Sequence, residues 1–350
     1  MYALIPASAI AAALARAHAQ DSKGGGEPPP PPPTQGSSSN PGISLVFNMG
    51  ADLGDKVDGQ RTADFREIEF GFASDVDPHL KAQAFISVAK ENGETVVDVE
   101  EAFGQYSNFG HGLSAKFGKI KGAIGRTNRN HEDQLEYLHF PFAIQDILGD
   151  EGLRAVGGSI SYLFPTKQFH ELTFEMVDAD DGPLFKSSDA DTMVSIAHYR
   201  TFFDFGQDLS AQLGATYANG PNMQNRASLY GFDYVMKWHP GRVGRSAMLE
   251  SEAYWSDPGS PGSDKKFGAF AALTYEFMPR WFATFKADYG EIPETTNVHR
   301  QFSGVLTYKL TEFEHWRIQW DHVTSNFDSA KNYLSLQFQF LIGKHPAHKY

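Results

Sequence analysis

Cysteine is absent from the 350-residue chain, which excludes disulfides, thiolate nucleophiles and Cys-ligated metals. No internal stretch reaches the roughly 18 consecutive apolar side chains that a membrane-spanning helix needs. The pattern Gly-x-Ser-x-Gly does not occur either. Without that nucleophile elbow the many Ser and His residues do not point to an enzyme. Basic residues are in deficit: 30 Lys and Arg stand against 43 Asp and Glu, for a formal charge of −13. Such a chain has no bulk attraction for nucleic acid, which is not expected as a partner. No cofactor is implied.

What remains is polar on average, with a mean hydropathy of −0.39. It is nonetheless rich in rings, with 28 Phe, 14 Tyr and 5 Trp. Residues 3–15 are mostly Ala, Leu and Ile, and Ala17-His18-Ala19 has the small-x-small form of a cleavage site. Residues 1–19 therefore read as a signal peptide cut before Gln20, although only Met1 and Tyr2 precede the apolar run. Residues 20–42 are low in complexity. Gly24–Gly26, Pro28–Pro33 and Gly36–Ser39 succeed one another there. Six prolines favour a polyproline II rod about 19 Å long, and the segment reads as a Pro/Gly/Ser-rich periplasmic tail.

From Ile43 onward the hydropathy has a period of two. Tyr230, Phe232, Tyr234, Met236 and Trp238 share one face of a strand, with Asp233 and Lys237 opposite. Trp281, Ala283, Phe285, Ala287 and Tyr289 repeat the pattern against Lys286 and Asp288, and Leu334, Leu336, Phe338 and Phe340 alternate with Ser335, Gln337 and Gln339. Successive side chains leave a strand on opposite sides, so each segment has one apolar and one polar face. About sixteen such segments can be counted, an even number of the kind seen in single-chain bacterial barrels. They start near Ile43, Ala63, Pro78, Thr95, Gly112, Leu153, Gln168, Ala190, Gln207, Ser228, Arg245, Lys266, Arg280, Arg300, Glu314 and Ala330. The expectation is an all-β transmembrane antiparallel barrel over residues 43–343, with a tail at 344–350.

The connections alternate short with longer and more polar ones. Asp75–Pro78, Pro165–Lys167, Asp204–Gly206 and Met278-Pro279 are short, while Asp178–Asp189 and Asp257–Lys265 are longer. Barrels of the outer membrane have short periplasmic turns and longer outer loops. That parity puts both termini in the periplasm of a Gram-negative bacterium. Trp238, Trp281 and Trp316 lie beside short turns and Trp255 precedes a long one, where interfacial aromatic girdles would sit. Outer-membrane lipids are then a partner by construction.

The longest connection, Arg126 to Gly152, follows the fifth strand. Leu135, Leu138, Phe142, Ile144 and Leu148 make its middle amphipathic. A long loop rich in apolar residues is poorly suited to free solvent, so it is expected to fold inward and constrict a pore. Its charged candidates are Arg126, Arg129, His131, Glu132, Asp133, Glu136, Asp146, Asp150 and Glu151. Six acids against two arginines favour cations. Glu250, Glu252, Lys286, Asp288 and Arg317 are expected on the lumen wall, and Glu67, Glu69, Glu171, Glu175 and Lys309 also fall on polar faces.

The block His131–Gln134, then Pro141, then Leu148-Gly149-Asp150-Glu151-Gly152-Leu153 resembles outer-membrane porins related to the phosphate-selective porin family, some of whose relatives are labelled zinc-regulated outer-membrane receptors. The closing His345-Pro346-Ala347-His348-Lys349-Tyr350 is similar to their chain ends. The resemblance implies a passive channel for small hydrophilic solutes or ions, with trimers common among similar porins. Phosphate-selective members line their pores with Arg and Lys, whereas this loop is acidic. A non-conducting barrel serving as scaffold, adhesin or assembly component is the alternative. Metal ligands need clustering. The spacings of His131, Glu132, Asp133 and His139, and of His345 and His348, match no standard zinc motif, so no metal site is expected.

Overall fold

The computed structural model describes residues 41–54, 63–91, 94–107, 110–178, 182–187, 192–223, 225–241 and 243–343. The expected signal peptide, nearly all of the expected Pro-rich tail and the 344–350 tail lie outside the described residues. Sixteen strands form one closed antiparallel barrel, each hydrogen-bonded to its neighbours in sequence, with the last strand closing on the first. In order they are β1 (Gly42–Gly54), β2 (Ala63–Asp75), β3 (Leu80–Glu91), β4 (Glu94–Tyr106), β5 (Leu113–Lys121), β6 (Arg154–Leu163), β7 (Phe169–Asp178) and β8 (Met193–Phe205). The second half comprises β9 (Leu209–Asn222), β10 (Asn225–Trp238), β11 (Ser246–Asp257), β12 (Lys266–Met278), β13 (Trp281–Glu291), β14 (Val298–Thr311), β15 (Glu314–Ser325) and β16 (Lys331–Gly343). Each begins within three residues of the start expected from periodicity.

The wall is inverted relative to a water-soluble protein. On β13, Phe285 is 67% exposed while its neighbours Thr284 and Lys286 are 1% and 2% exposed. The same holds on β10, where Tyr230 and Phe232 face out and Asp233 is buried, and on β15, where Trp316, Ile318 and Trp320 face out and Arg317, Gln319 and Asp321 do not. An apolar outer surface of this extent is stable only against hydrocarbon. Ring pairs reinforce it: Trp316 stacks on Phe338 at 4.2 Å and Trp281 lies 4.7 Å from Tyr308. At the seam, Phe47 pairs with Phe340 and stacks on it at 4.7 Å.

An even strand count brings the first residue of β1 and the last of β16 to one rim, where Ser44 pairs with Gly343. Every connection on that rim is short, seven residues at most. The opposite rim is less uniform than the alternation of the sequence implied. β3 to β4 and β9 to β10 are joined there by only two residues each, whereas β5 and β6 are separated by 32.

Two strands break the period in a consequential way. Between β1 and β2 the register slips so that Asn48 faces Glu67 while Met49 faces Phe65, leaving Arg66 extra. Between β3 and β4, Phe85 faces Glu101 and Ile86 faces Val99, leaving Glu100 extra. A bulge puts two consecutive residues opposite one and re-aims a side chain. Adjacent charges in a lipid-facing strand would otherwise send one of them into hydrocarbon. Here the bulge buries both Glu100 and Glu101.

Candidate pore constriction

The chain between β5 and β6 contains two 3-10 turns, Thr127–Arg129 and Glu132–Gln134, and one short helix, α1 (Phe142–Leu148). Its neck is closed by Asn128. That side chain donates to the carbonyls of Gly122 (2.8 Å) and Leu153 (3.0 Å) and accepts from the Leu153 amide (2.8 Å). Gly152 adopts φ +73°, and a Cβ there would lie 1.9 Å from the Asn128 amide oxygen, so only glycine fits.

From the neck the segment touches the wall strand after strand. Arg126 and Thr127 amides both donate to Glu252 on β11, at 3.0 and 2.7 Å, and the Arg126 guanidinium reaches Glu250 at 3.0 Å. Ala123 donates to Glu175 on β7 and Gly125 to Thr216 on β9. Gln339 on β16 donates to the Asp133 carbonyl, and Arg317 on β15 to the Leu135 carbonyl. Glu136 pairs with Lys309 on β14 at 2.9 Å. Asp288 on β13 accepts from the Phe142 and Ala143 amides at 2.6 and 3.1 Å. Those two amides open α1 and have no partner within the helix, so a carboxylate there serves as its cap. Asp146 meets His299 on β14 at 2.9 Å. A segment that bonds to strands on every side of a closed barrel lies within it. Leu135, Tyr137, Leu138, Phe140, Ile144, Ile147 and Leu148 are all buried in consequence, each gaining roughly 1.5–3 kcal/mol from removal of its side chain from water.

His131 sits where the segment meets β2 and β4. Its Nδ1 lies 2.8 Å from Glu100 and 3.0 Å from Glu69, and its Nε2 lies 3.1 Å from Glu101. Burial and Lys121 oppose an imidazolium here, yet hydrogen bonds to the three carboxylates hold the histidine well above its ordinary pKa. Burial pushes Glu132 up to about 7. Burial also opposes ionisation of Glu136, but Lys309 and Arg317 overcome it and hold that carboxyl down to about 2. Burial raises Asp146 and Glu151 and lowers Arg129, the last assisted by Arg200.

The nine residues expected at a constriction are thus not one cluster. Arg126 is neutralised by Glu250 and Glu136 by Lys309, while Asp146 meets His299. Glu151 pairs with Arg154, which also holds Asp98 at 2.7 Å. Asp150 is exposed. Arg129 lies toward β7, β8 and β10, in the field of Glu175, Arg200 and Asp233. Glu132 and Asp133 follow His131 in the second turn. On the wall, Glu250, Glu252, Lys286, Asp288 and Arg317 are all buried and all face the segment. Sequence reading missed Asn128, Glu100, Glu101 and Gln319. The adjacent acids at 100–101 were a usable signal for a bulge. Nothing local marks the other two.

Fold and inner segment together define the class: a transmembrane β-barrel of outer-membrane porin architecture. Solved structures share that fold. OprB of Pseudomonas putida superposes with a TM-score of 0.60 at 11% identity, covering 87% of this chain and 94% of its own. The outer membrane channel DcaP of Acinetobacter baumannii gives 0.58 at 11%, over 87% and 96%. The anion-selective porin from Comamonas acidovorans gives 0.56 at 11%, over 86% and 98%. No protein-family model and no curated protein matches the sequence.

Proposed function

We propose that the protein is a passive outer-membrane channel for small hydrophilic solutes or ions, with the segment between β5 and β6 as its constriction. The observation that supports this most is the inversion of the wall, apolar outside and charged within, around a segment bonded to it by side chains. Acids exceed bases along the segment and at the β2–β4 wall, which favours cations over anions through the local potential. Both barrel ends share the rim of short turns, so the termini are periplasmic. A homotrimer is the assembly in keeping with the architecture. Planar-bilayer recordings of the purified chain test the reading. Step-like conductance with a reversal potential on the cation side in a salt gradient is expected.

A second reading is favoured by one feature. Lys286, Arg317 and Gln319 lie on the inner face with almost no exposure because the segment covers them. A barrel so filled can act as a scaffold, adhesin or assembly component. Absence of conductance from folded protein would select it.

A further inference from the structure

The junction of the inner segment with β2 and β4 holds a compact group of buried side chains. His131 comes from the segment, Glu69 from β2 and Glu100 from the bulge of β4. One ligand atom from each lies within 4.8 Å of the others, and all three residues are buried. We propose that His131, Glu69 and Glu100 form a binding site for one divalent transition-metal cation, which would tie the segment to the barrel wall.

Four features support it. The first is the donor set. An imidazole nitrogen with two carboxylate oxygens suits zinc and its neighbours, whereas calcium and magnesium prefer oxygen alone. The second is the orientation of the ring. His131 Nε2 is held by Glu101 at 3.1 Å. A carboxylate on the far nitrogen sets the tautomer and turns the Nδ1 lone pair toward Glu69 and Glu100, the arrangement that supports a metal-bound histidine. Phe85 packs against the ring with centroids 4.7 Å apart and keeps it in place.

The third feature is an orphan. Glu69 places Oε2 on His131, but its Oε1 is buried without a hydrogen-bond partner. A buried carboxylate oxygen with no donor is costly. Bidentate coordination of a cation would satisfy it and supply a fourth ligand. The fourth feature is charge. Glu67 adjoins Glu100, and Glu132 lies within its field. Five carboxyl groups, at positions 67, 69, 100, 101 and 132, therefore lie around the site. The nearest permanent cation is Lys121, 3.7 Å from Glu100 and hydrogen-bonded instead to the Asn130 carbonyl at 3.0 Å. A divalent ion brings the three carboxylates that contact His131 one positive charge more than a proton on the ring does.

The ligand atoms, all within 4.8 Å of one another, must rearrange to hold an ion. Ligand atoms of a tetrahedral site with bonds of about 2.0–2.1 Å stand roughly 3.4 Å apart. The His131 to carboxylate separations of 2.8 and 3.0 Å must open by about 0.5 Å to admit the ion. The ion takes the place of the proton on Nδ1, which leaves to solvent. The ligands are 31 to 62 positions apart in the sequence, so no local spacing motif could have revealed them.

The proposal does not depend on conduction, and its test does not measure it. The full chain, folded in detergent and stripped with a chelator, is titrated with zinc chloride by calorimetry. One zinc per chain is expected, with calcium far weaker. H131Q and E100Q should each lower zinc affinity at least about tenfold, with a heat-dependent gel shift verifying that each variant is folded. Zinc-edge X-ray absorption of the wild-type complex should show one imidazole nitrogen with oxygens completing the shell, and this holds the test open if a variant fails to fold. Three results would overturn the site: no stoichiometric zinc binding, equal affinity in both folded variants, or a spectrum requiring two or more imidazoles.

Discussion

Asn128 is the hinge point of the inner segment, and its replacement by Ala isolates what holds the neck closed. The side chain is fully buried and makes three hydrogen bonds. Each contributes about 0.5–1.5 kcal/mol net, so their joint loss is worth about 3 kcal/mol. The ends of β5 and β6 stay joined, because the Gly122 amide still donates to the Leu153 carbonyl at 2.9 Å, and no strand pairing is touched. The free energy therefore falls on docking of the segment rather than on the barrel. At 1.4 kcal/mol per factor of ten, the population with an open neck rises by about 150-fold. Hydrogen exchange at the Leu153 amide reads this directly, since that proton is the one Asn128 accepts. Its protection should drop by about two orders of magnitude, while strand amides and the heat-dependent gel shift remain as in the parent. In bilayers the variant should show noisier or larger current steps. Protection at Leu153 within about threefold of the parent would show that Asn128 does not close the neck.

Other expectations follow from single residues. Phe232→Arg places a charge on the lipid face and should cost about 2–4 kcal/mol if it lies near the midplane, read as a lower urea midpoint for folding into vesicles; tolerance equal to that of Glu252→Gln would show the register to be wrong. Glu252→Gln itself should leave the barrel assembled but speed exchange at the Arg126 and Thr127 amides, which both donate to that carboxylate. Asp288→Asn should weaken the cap of α1 by about 1 kcal/mol, seen as faster exchange at Phe142 and Ala143 and nowhere else. For Glu136 the pKa is depressed from the usual 4.5 to about 2, so its contact with Lys309 is complete above the ordinary value and lost only as pH falls through about 2. Segment protection should hence survive a shift from pH 7 to pH 4 in the parent, whereas in Lys309→Met the buried Glu136 carboxylate loses the cation that offsets its burial, so docking should be weaker than in the parent at pH 7 and the deficit should shrink as pH falls and Glu136 takes up a proton. Lys309→Met should also raise the cation-to-anion permeability ratio by unmasking Glu136, and an unmoved reversal potential would place selectivity elsewhere.

Much of the architecture was legible before any coordinates, because a barrel wall is a one-dimensional problem. Each strand must present apolar side chains to lipid and polar ones inward, so the period of two along Tyr230–Trp238 or Trp281–Tyr289 reports the fold directly. Turn residues then set where strands start, and the starts came within three residues throughout. The apolar middle of the segment after β5 likewise announced that it needed a surface to pack on. What alternation could not show is where the period slips. The bulges at Arg66 and Glu100 come from the pairing of two strands, not from either strand alone. Nor could it show partners. Lys309 meets Glu136 across 173 positions, Arg317 meets Leu135 across 182 and Asp288 reaches Phe142 across 146. Those contacts exist only because closure of the barrel brings distant strands around one enclosed segment. Composition therefore determined that the loop was acidic. The tertiary structure decided which acids are neutralised by the wall and which gather around His131, because the field at a charge depends on neighbours in space and on burial.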